Sequence, residues 1–416
     1  MDQRAGEGQP GPLAPLREER NYRWFFLGNL ASNLGTFCQS IAQSLLVFRL
    51  TGSTFLVGVV NFAQYAAVPI LAPVAGSVAD RYDRRKVLII AQASAGVAAT
   101  VLTLLNAFGA INAGVVIVLA AAIGITGAFA FPVGRAFAPL LVSERNLGRA
   151  INLDSVSVNI ARAIGPVIGA LIVSGLGETW AFGANAISFF LLAAVLATVR
   201  PRAQQVAPAR RTRFIDGFGL VRRNPLVGAL LFIIAACAIG ADPPVTLGPE
   251  IAEKLGGGDL MAGAILGAFG AGGVVGAFVA GAESHRHHRK VARLLGVLVG
   301  GLVIFAVATS LPITLVGSFL AGFGYLTSQT RSSTLLLRSI EDHERGRVMA
   351  MWSVAFIGTR PLASLLDGWI GEHVNVRAAA LVMAVPAAAA LVLSARLDRR
   401  RNHPGPPSSP QVATAG

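Results

Sequence analysis

The sequence predicts an all-α integral membrane protein with twelve transmembrane helices in two duplicated six-helix halves. Three observations lead there. Of 416 residues, 54% are hydrophobic and only 13% charged, about half the charge that soluble chains carry on their surfaces. The apolar residues fall into twelve runs of membrane-spanning length. The basic residues, which give a formal net charge of +14, sort onto alternate connections between those runs.

The runs are 25–49, 54–79, 87–108, 112–137, 150–174, 179–198, 226–249, 260–282, 291–309, 312–336, 348–371 and 377–395, each close to the roughly 20 residues that cross a bilayer as a helix. Short turn-forming connections separate many of them, such as Thr51-Gly52-Ser53, Gly109 to Asn112, Gly175 to Glu178 and Gly256 to Asp259. Residues 1–22 are polar and Pro/Gly-rich, without a secretory signal, and read as a disordered cytoplasmic tail; 397–416 read as a second one. The linker 199–225 is Arg-rich, contains Pro201 and Pro208, and divides a half at 23–198 from a half at 226–396.

The charge then finds its place. Arg81, Arg84, Arg85 and Lys86 lie between spans two and three, Arg145 and Arg149 between four and five. Seven arginines fill the linker, and Arg286, Arg289, Lys290, Arg293, Arg338, Arg345 and Arg347 occupy later connections on the same side. The other side offers Arg49, Lys254 and Arg377. By the positive-inside rule both termini are cytoplasmic, which requires an even number of spans. Trp24, Trp180 and Trp369 fall at span ends, as interfacial anchors do. The basic excess is a topology signal and a contact for anionic membrane lipids, so no nucleic-acid partner is implied. Cys38 and Cys237, the only cysteines, lie inside apolar runs, so this is no disulfide scaffold.

The halves repeat their landmarks in order. Arg135 matches Arg331, Gly148-Arg149 matches Gly346-Arg347, and thirteen residues beyond each of those arginines stands another, Arg162 and Arg360. Asp83-Arg84-Arg85-Lys86-Val87 has a counterpart at 287–291. Two parallel halves with a midplane site between them is a recurrent transporter plan.

Polar residues within the spans mark that site. Asn29, Asn33, Thr36, Ser40 and Gln43 recur at helical spacing along the first span; Asn152, Ser155, Asn159, Arg162, Pro166 and Gly169 do so along the fifth, and Asn61 and Gln64 lie in the second. Such stripes either glue helices together or line a water-accessible cavity. Phe37, Phe62 and Tyr65 lie nearby in sequence. Arg162 and Arg360 lie about 20 Å from the inner face at 1.5 Å per residue, where a charge is costly and functional by default; the bland alternative is an arginine held by carbonyls or an acid. Asp367 is seven positions beyond Arg360, about 10 Å along the helix, and reads as an indirect partner at best. The acids Asp242, Asp154 and Asp367 are the proton-coupling candidates, although Asp242, preceding Pro243-Pro244, reads equally as a cap. Span eight carries Gly263, Gly267, Gly270, Gly272, Gly273, Gly276 and Gly281, a pattern of close helix approach. His285, His287 and His288 sit in a basic loop and read as a solvated face, so no metal or other cofactor is expected.

Gly76-Ser77-Val78-Ala79-Asp80-Arg81-Tyr82-Asp83-Arg84-Arg85-Lys86 resembles the G-x-L-A-D-R-x-G-R-R motif of the major facilitator superfamily, with Val78 for Leu and Asp83 for Gly. Asn159, Arg162, Gly165, Pro166 and Gly169 resemble its span-five antiporter motif. Leu50-Thr51-Gly52-Ser53, Arg135-Ala136-Phe137 and Asn185-Ala186-Ile187-Ser188-Phe189 resemble the branch containing enterobactin and macrolide exporters, over about residues 20–397. That branch often carries an acid before the span-four proline, where this chain has Phe131-Pro132. The resemblance implies a conformational-switch loop of Gly76, Asp80, Arg81, Arg84 and Arg85, in which the acid and arginines steady the outward-facing state.

The functional expectation is a secondary active transporter of the plasma membrane, monomeric and proton-coupled, exporting a small amphipathic compound (drug, siderophore or secondary metabolite) by alternating access. An importer or uniporter of the same fold, or a non-transporting receptor or assembly factor, is the alternative. No phosphate-binding Gly-rich loop or nucleophile elbow supports an enzyme or an ATP-driven pump.

Overall fold

Helix boundaries follow local chemistry. The computed structural model describes residues 11, 13–202, 216–282, 289–341 and 344–402. A short α1 (Ala14–Glu18) precedes α2 (Arg20–Thr51), α3 (Thr54–Arg81), α4 (Arg84–Ala107), α5 (Ala113–Phe137), α6 (Leu147–Leu176) and α7 (Glu178–Thr198). After the linker come α8 (Asp216–Arg223), α9 (Pro225–Gly240), α10 (Pro243–Thr246), α11 (Gly248–Lys254) and α12 (Asp259–Ala282). The chain continues with α13 (Arg289–Val307), α14 (Leu311–Arg338), α15 (Arg345–Ser353), α16 (Thr359–His373) and α17 (Val376–Asn402). Side-chain caps open several of these: Ser53 accepts from the Leu56 amide, Asp83 from those of Arg85 and Lys86, Asn112 from Val115 and Asn224 from Leu226. Gly52, at φ 64°, supplies the left-handed residue that ends α2.

Among the described residues, nine helical stretches are long and apolar enough to cross a membrane. Three expected spans fall outside that set for physical reasons. The first, α2, carries the polar stripe; α13 offers a shorter apolar stretch, Val291–Val307; and the eleventh is interrupted. The interruption is a π-turn, Val354–Gly358, between α15 and α16. It gives way to α-helix one residue before Arg360, at the kind of break that often accompanies function. The seventh span is broken as well. Pro243 and Pro244 cannot continue the α9 ladder, and the chain proceeds through α10 and α11.

The terminal segments also depart from expectation. Residues 14–18 and 20–22, assigned to a disordered tail, are helical, and so are 397–402 within α17. Glu18 accepts from Arg145 and Asn146 at 2.8 and 2.9 Å, and Glu19 from Arg202 at 2.8 Å, so α1 docks on the four-five connection and the linker start. The Arg-rich linker contains helix α8; its residues 203–215, with Pro208, lie outside the described residues, as do the tail residues 1–10 and 403–416 and the loop histidines His285, His287 and His288.

Packing divides the helices into two groups of the same pattern. In the first, α3 packs on α5, α4 on α5 and α7, and α2 on α6 and α7. In the second, α12 packs on α14, α13 on α14 and α17, and α9 on α17 and the eleventh-span segments. Two helix pairs, α3 with α16 and α6 with α12, carry most contacts between the groups, and they exchange under the same duplication. Small residues make both possible: a methyl at Gly58 would overlap the Ser364 carbonyl, and one at Gly270 would overlap the Ala163 backbone. Gly272 and Gly276 instead face α14. Glycines of span eight thus serve two partners on two sides.

Candidate functional site

Midway along the interface the two deep arginines make reciprocal contacts. Arg162 of α6 donates from Nη1 to the Tyr325 hydroxyl of α14 at 3.5 Å, and its guanidinium lies 5.9 Å from the Phe37 ring centre. Arg360 of α16 lies 5.6 Å from the Tyr65 ring centre of α3. Each group therefore sends one arginine to a tyrosine of the other, from positions related by the duplication. Cation–π contacts such as that of Arg360 with Tyr65 are worth about 0.5–2 kcal/mol each. Tyr325 is fixed from behind by Phe269, with ring centres 5.7 Å apart.

The arginines differ in their counter-charges. Arg162 forms no ion pair with a carboxylate among the described residues, whereas Asp242 is within electrostatic reach of Arg360. Asp242, 3% exposed, sits between α9 and α10. Its carboxylate accepts from the Thr246 hydroxyl at 2.8 Å and from no backbone amide at the start of α10, so the helix breaks as the prolines require but the side chain is no cap. Asp367, expected to be at best an indirect partner of Arg360, reaches it only through Asp242. It is 0% exposed, neither of its oxygens has a hydrogen-bond partner, and it interacts electrostatically with Asp242. Sequence distance along α16 hid this, because the partner comes from the broken seventh span. Asp154 belongs elsewhere: it accepts from Asn29 at 3.0 Å and is within reach of Arg135, inside the first group.

The remaining polar candidates separate by partner. The side chains of Gln43 and Asn61 are buried without any hydrogen bond, and so is Oε1 of Gln64. Thr36 returns its hydroxyl to the Ser32 carbonyl, and the buried Ser40 lends its carbonyl to Ser44. Asn33 and Asn159 are partly buried, while Asn152 and Ser155 are exposed along α6. Gln39, absent from the sequence reading, lies one helical turn before Gln43 and accepts from Asn185 of α7 at 2.7 Å. In the antiporter-like motif, Gly165 and Gly169 let α6 approach Phe37, Cys38 and Ile41 of α2, and Pro166 turns its carbonyl toward Gly263 of α12. The motif is thus a packing device on two sides of α6, with Arg162 its chemical member.

The face opposite α1, here the far face, is closed across the interface. Arg49 pairs with Glu178 of its own group and Asp259 of the other, both at 2.5 Å. Glu372 accepts from the Ser53 hydroxyl and, at 2.9 Å, from the Phe55 amide. Glu250 accepts from Thr54 and pairs with Lys254 at 2.6 Å. On the face bearing α1, the contacts described stay within one group. Arg84 donates to the Ala136 carbonyl at 3.3 Å; Arg85 donates to Leu196 at 2.6 Å and also to Ala197. Gly76 and Asp80 lie in the last two turns of α3, and Arg81 is exposed.

Residues 10–407 match the model of a family described as transmembrane secretion effector, a branch of the major facilitator superfamily. The chain belongs to that family. This major facilitator transporter is a multi-pass membrane protein and not an enzyme. It is 24% identical over 358 residues to the staphyloferrin A transporter of Staphylococcus aureus, covering 83% of this chain and 88% of the relative. It is 24% identical over 380 residues to the enterobactin exporter EntS of Salmonella typhi, covering 89% and 90%. Among solved structures it resembles a bacterial homologue of the human lysosomal transporter Spinster, in an inward-facing and occupied conformation. There the TM-score is 0.72 at 13% identity, over 92% of this chain and 97% of that one. The POT family transporter PepTSo gives a TM-score of 0.72 at 10% identity, over 92% and 98%. These structures establish the shared fold.

Several parts of the transporter's second group were not anticipated from sequence. Trp352 donates to Ser333 at 2.8 Å and stacks on Phe356 at 5.0 Å, and α14 buries Gln329 and Ser332 beside Tyr325. The signal was present: Tyr325, Ser328 or Gln329, and Ser332 recur at helical spacing in α14.

Proposed function

We propose that this transporter exports a small amphipathic compound bearing an anionic group, exchanging it for protons by alternating access. The observation that carries the proposal is the reciprocal pair Arg162–Tyr325 and Arg360–Tyr65 across the interface. Of the two, Arg162 has no carboxylate paired with it among the described residues and is the group that receives the substrate's negative charge. Phe37, Tyr325 and Phe269 supply its apolar walls. Gln43, Asn61 and Gln64 are buried amides whose desolvation is costly unless a polar partner reaches them, and substrate hydroxyl or carbonyl groups suit that role. The curated relatives named for siderophore transport support export of such compounds.

The positive-inside rule supports a plasma-membrane orientation with both termini in the cytoplasm. On that orientation the closed far face is external and the conformation is inward-facing. The halves 23–198 and 226–396 would rock as units, as a monomer, about the α3–α16 and α6–α12 contacts. Asp80, with Arg81, Arg84 and Arg85, would steady the opposite state. Everted vesicles loaded with the chain test the reading against a panel of anionic, neutral and cationic amphiphiles. Accumulation of the anionic members that stops when the proton gradient is collapsed is expected. Uptake in the reverse direction, or accumulation indifferent to the gradient, would refute export or coupling respectively.

A further inference from the structure

We propose that Asp242 and Asp367 together form the site of the coupling proton, holding one proton between them while the far face is closed, and that losing it favours reopening. The proposal rests on the proton-coupled reading above and adds the site and its link to the gate.

Three observations converge. Asp367 is fully buried with both oxygens unpartnered, and its electrostatic neighbour is another buried carboxylate, Asp242. The described groups facing the pair are few. Thr246 donates to Asp242; Arg360 of α16 is the one cation within reach of it; and Tyr65 of α3 and Tyr325 of α14 surround Arg360. On α11, Glu250 is already held by Lys254 and Thr54. Two carboxylates against one guanidinium leave a net negative charge in surroundings that cannot solvate it, and one shared proton makes the cluster neutral. Finally, the pair lies at the gate. Asp367 precedes Gly368, which packs on Thr54, Phe55 and Gly58 of α3, and the Ser364 carbonyl one turn earlier meets Gly58.

Separation of α16 from α3 would admit water and stabilise both carboxylates as anions. Closure expels that water, so a proton from the far side must form an O–H bond on one carboxylate. Release breaks that bond and returns the proton to water on the Arg360 side, where the guanidinium balances Asp242. No other bond changes. The buried charge left behind then favours opening the far face again, with substrate aboard.

The sign is testable without any substrate. Spin labels on cysteines at Phe108 and Val374, which are 81% and 60% exposed near the far ends of different groups, report far-face opening; Cys38 and Cys237 are buried. In the purified full chain the closed-to-open ratio should rise as pH falls, by up to about tenfold per pH unit for one proton. Asp367→Asn and, independently, Asp242→Asn should abolish that slope. Glu372→Gln should lower the closed fraction yet keep the slope, because protonating surface carboxylates that hold the gate would open it in acid, the opposite sign. A flat wild-type response, or a wild-type slope in both aspartate variants, overturns the proposal. If the slope is lost in the variants while vesicle efflux ignores the proton gradient, the gate site stands and the proton-coupled reading fails. If efflux is gradient-driven and both variants remain so, the site assignment fails instead.

Discussion

Replacing Gly58 with valine would place two methyl groups and a branched Cβ where α3 meets the Ser364 carbonyl and the Gly368 Cα of α16. On the proposed rocking of the two halves, that contact is made only while the far face is closed. Overpacking of a tight contact costs about 1–3 kcal/mol, and here the cost falls on one conformation alone, so the closed-to-open ratio should drop by about 5- to 150-fold. The Phe108–Val374 label pair would show it as a shift toward the longer distance, with melting temperature little changed. Gly322→Ala is the control. Its added methyl would overlap the Phe269 carbonyl within the second group, so it should lower the melting temperature and leave the distance distribution alone. An unchanged distribution in a well-folded Gly58→Val protein would refute the identification of α3–α16 as a gate contact.

Arg162→Ala should raise KM for anionic substrates by about 10- to 100-fold, the worth of a charge-assisted contact, while neutral amphiphiles are spared; equal loss for both classes would make Arg162 a packing residue. Asp80→Asn should lower flux in vesicles at equal membrane abundance, and normal flux would remove the switch role from that loop. The Glu18 carboxyl is held below its ordinary value by hydrogen bonds from Asn146 and then Arg145. A depressed carboxylate stabilises the docked form above its ordinary value of about 4.3 and loses that effect as pH falls through the depressed one. Hydrogen exchange in α1 should therefore stay slow at neutral pH and accelerate only in strong acid, and Glu18→Gln should accelerate it at neutral pH.

How far the sequence reached depended on the range of the interaction concerned. Span positions were legible because bilayer thickness sets helix length and each run satisfies its own backbone. The breaks at Pro243 and the caps at Ser53 and Asn112 are equally local. The π-turn at Val354–Gly358 was not legible, since no proline in its five residues marks it and the apolar pattern runs straight through. Nor was the pairing of polar residues: Gln39 and Gln43 are one helical turn apart, yet one bonds Asn185 and the other has no partner.

The sequence by itself determined membrane insertion and the duplicated halves, and it set the expected orientation and the expected depth of Arg162 and Arg360. All of these follow from hydropathy, charge and spacing along one chain. Only the tertiary structure decided which charges meet. Asp367 is remote from Asp242 in sequence and on a different helix, and their approach depends on how the broken seventh span packs beside α16. The same holds for the conformational state. The contacts that close the far face join residues more than 190 positions apart, such as Thr54 with Glu250, and each is short-ranged. Their formation is a property of two groups rocked together, and no local pattern encodes it.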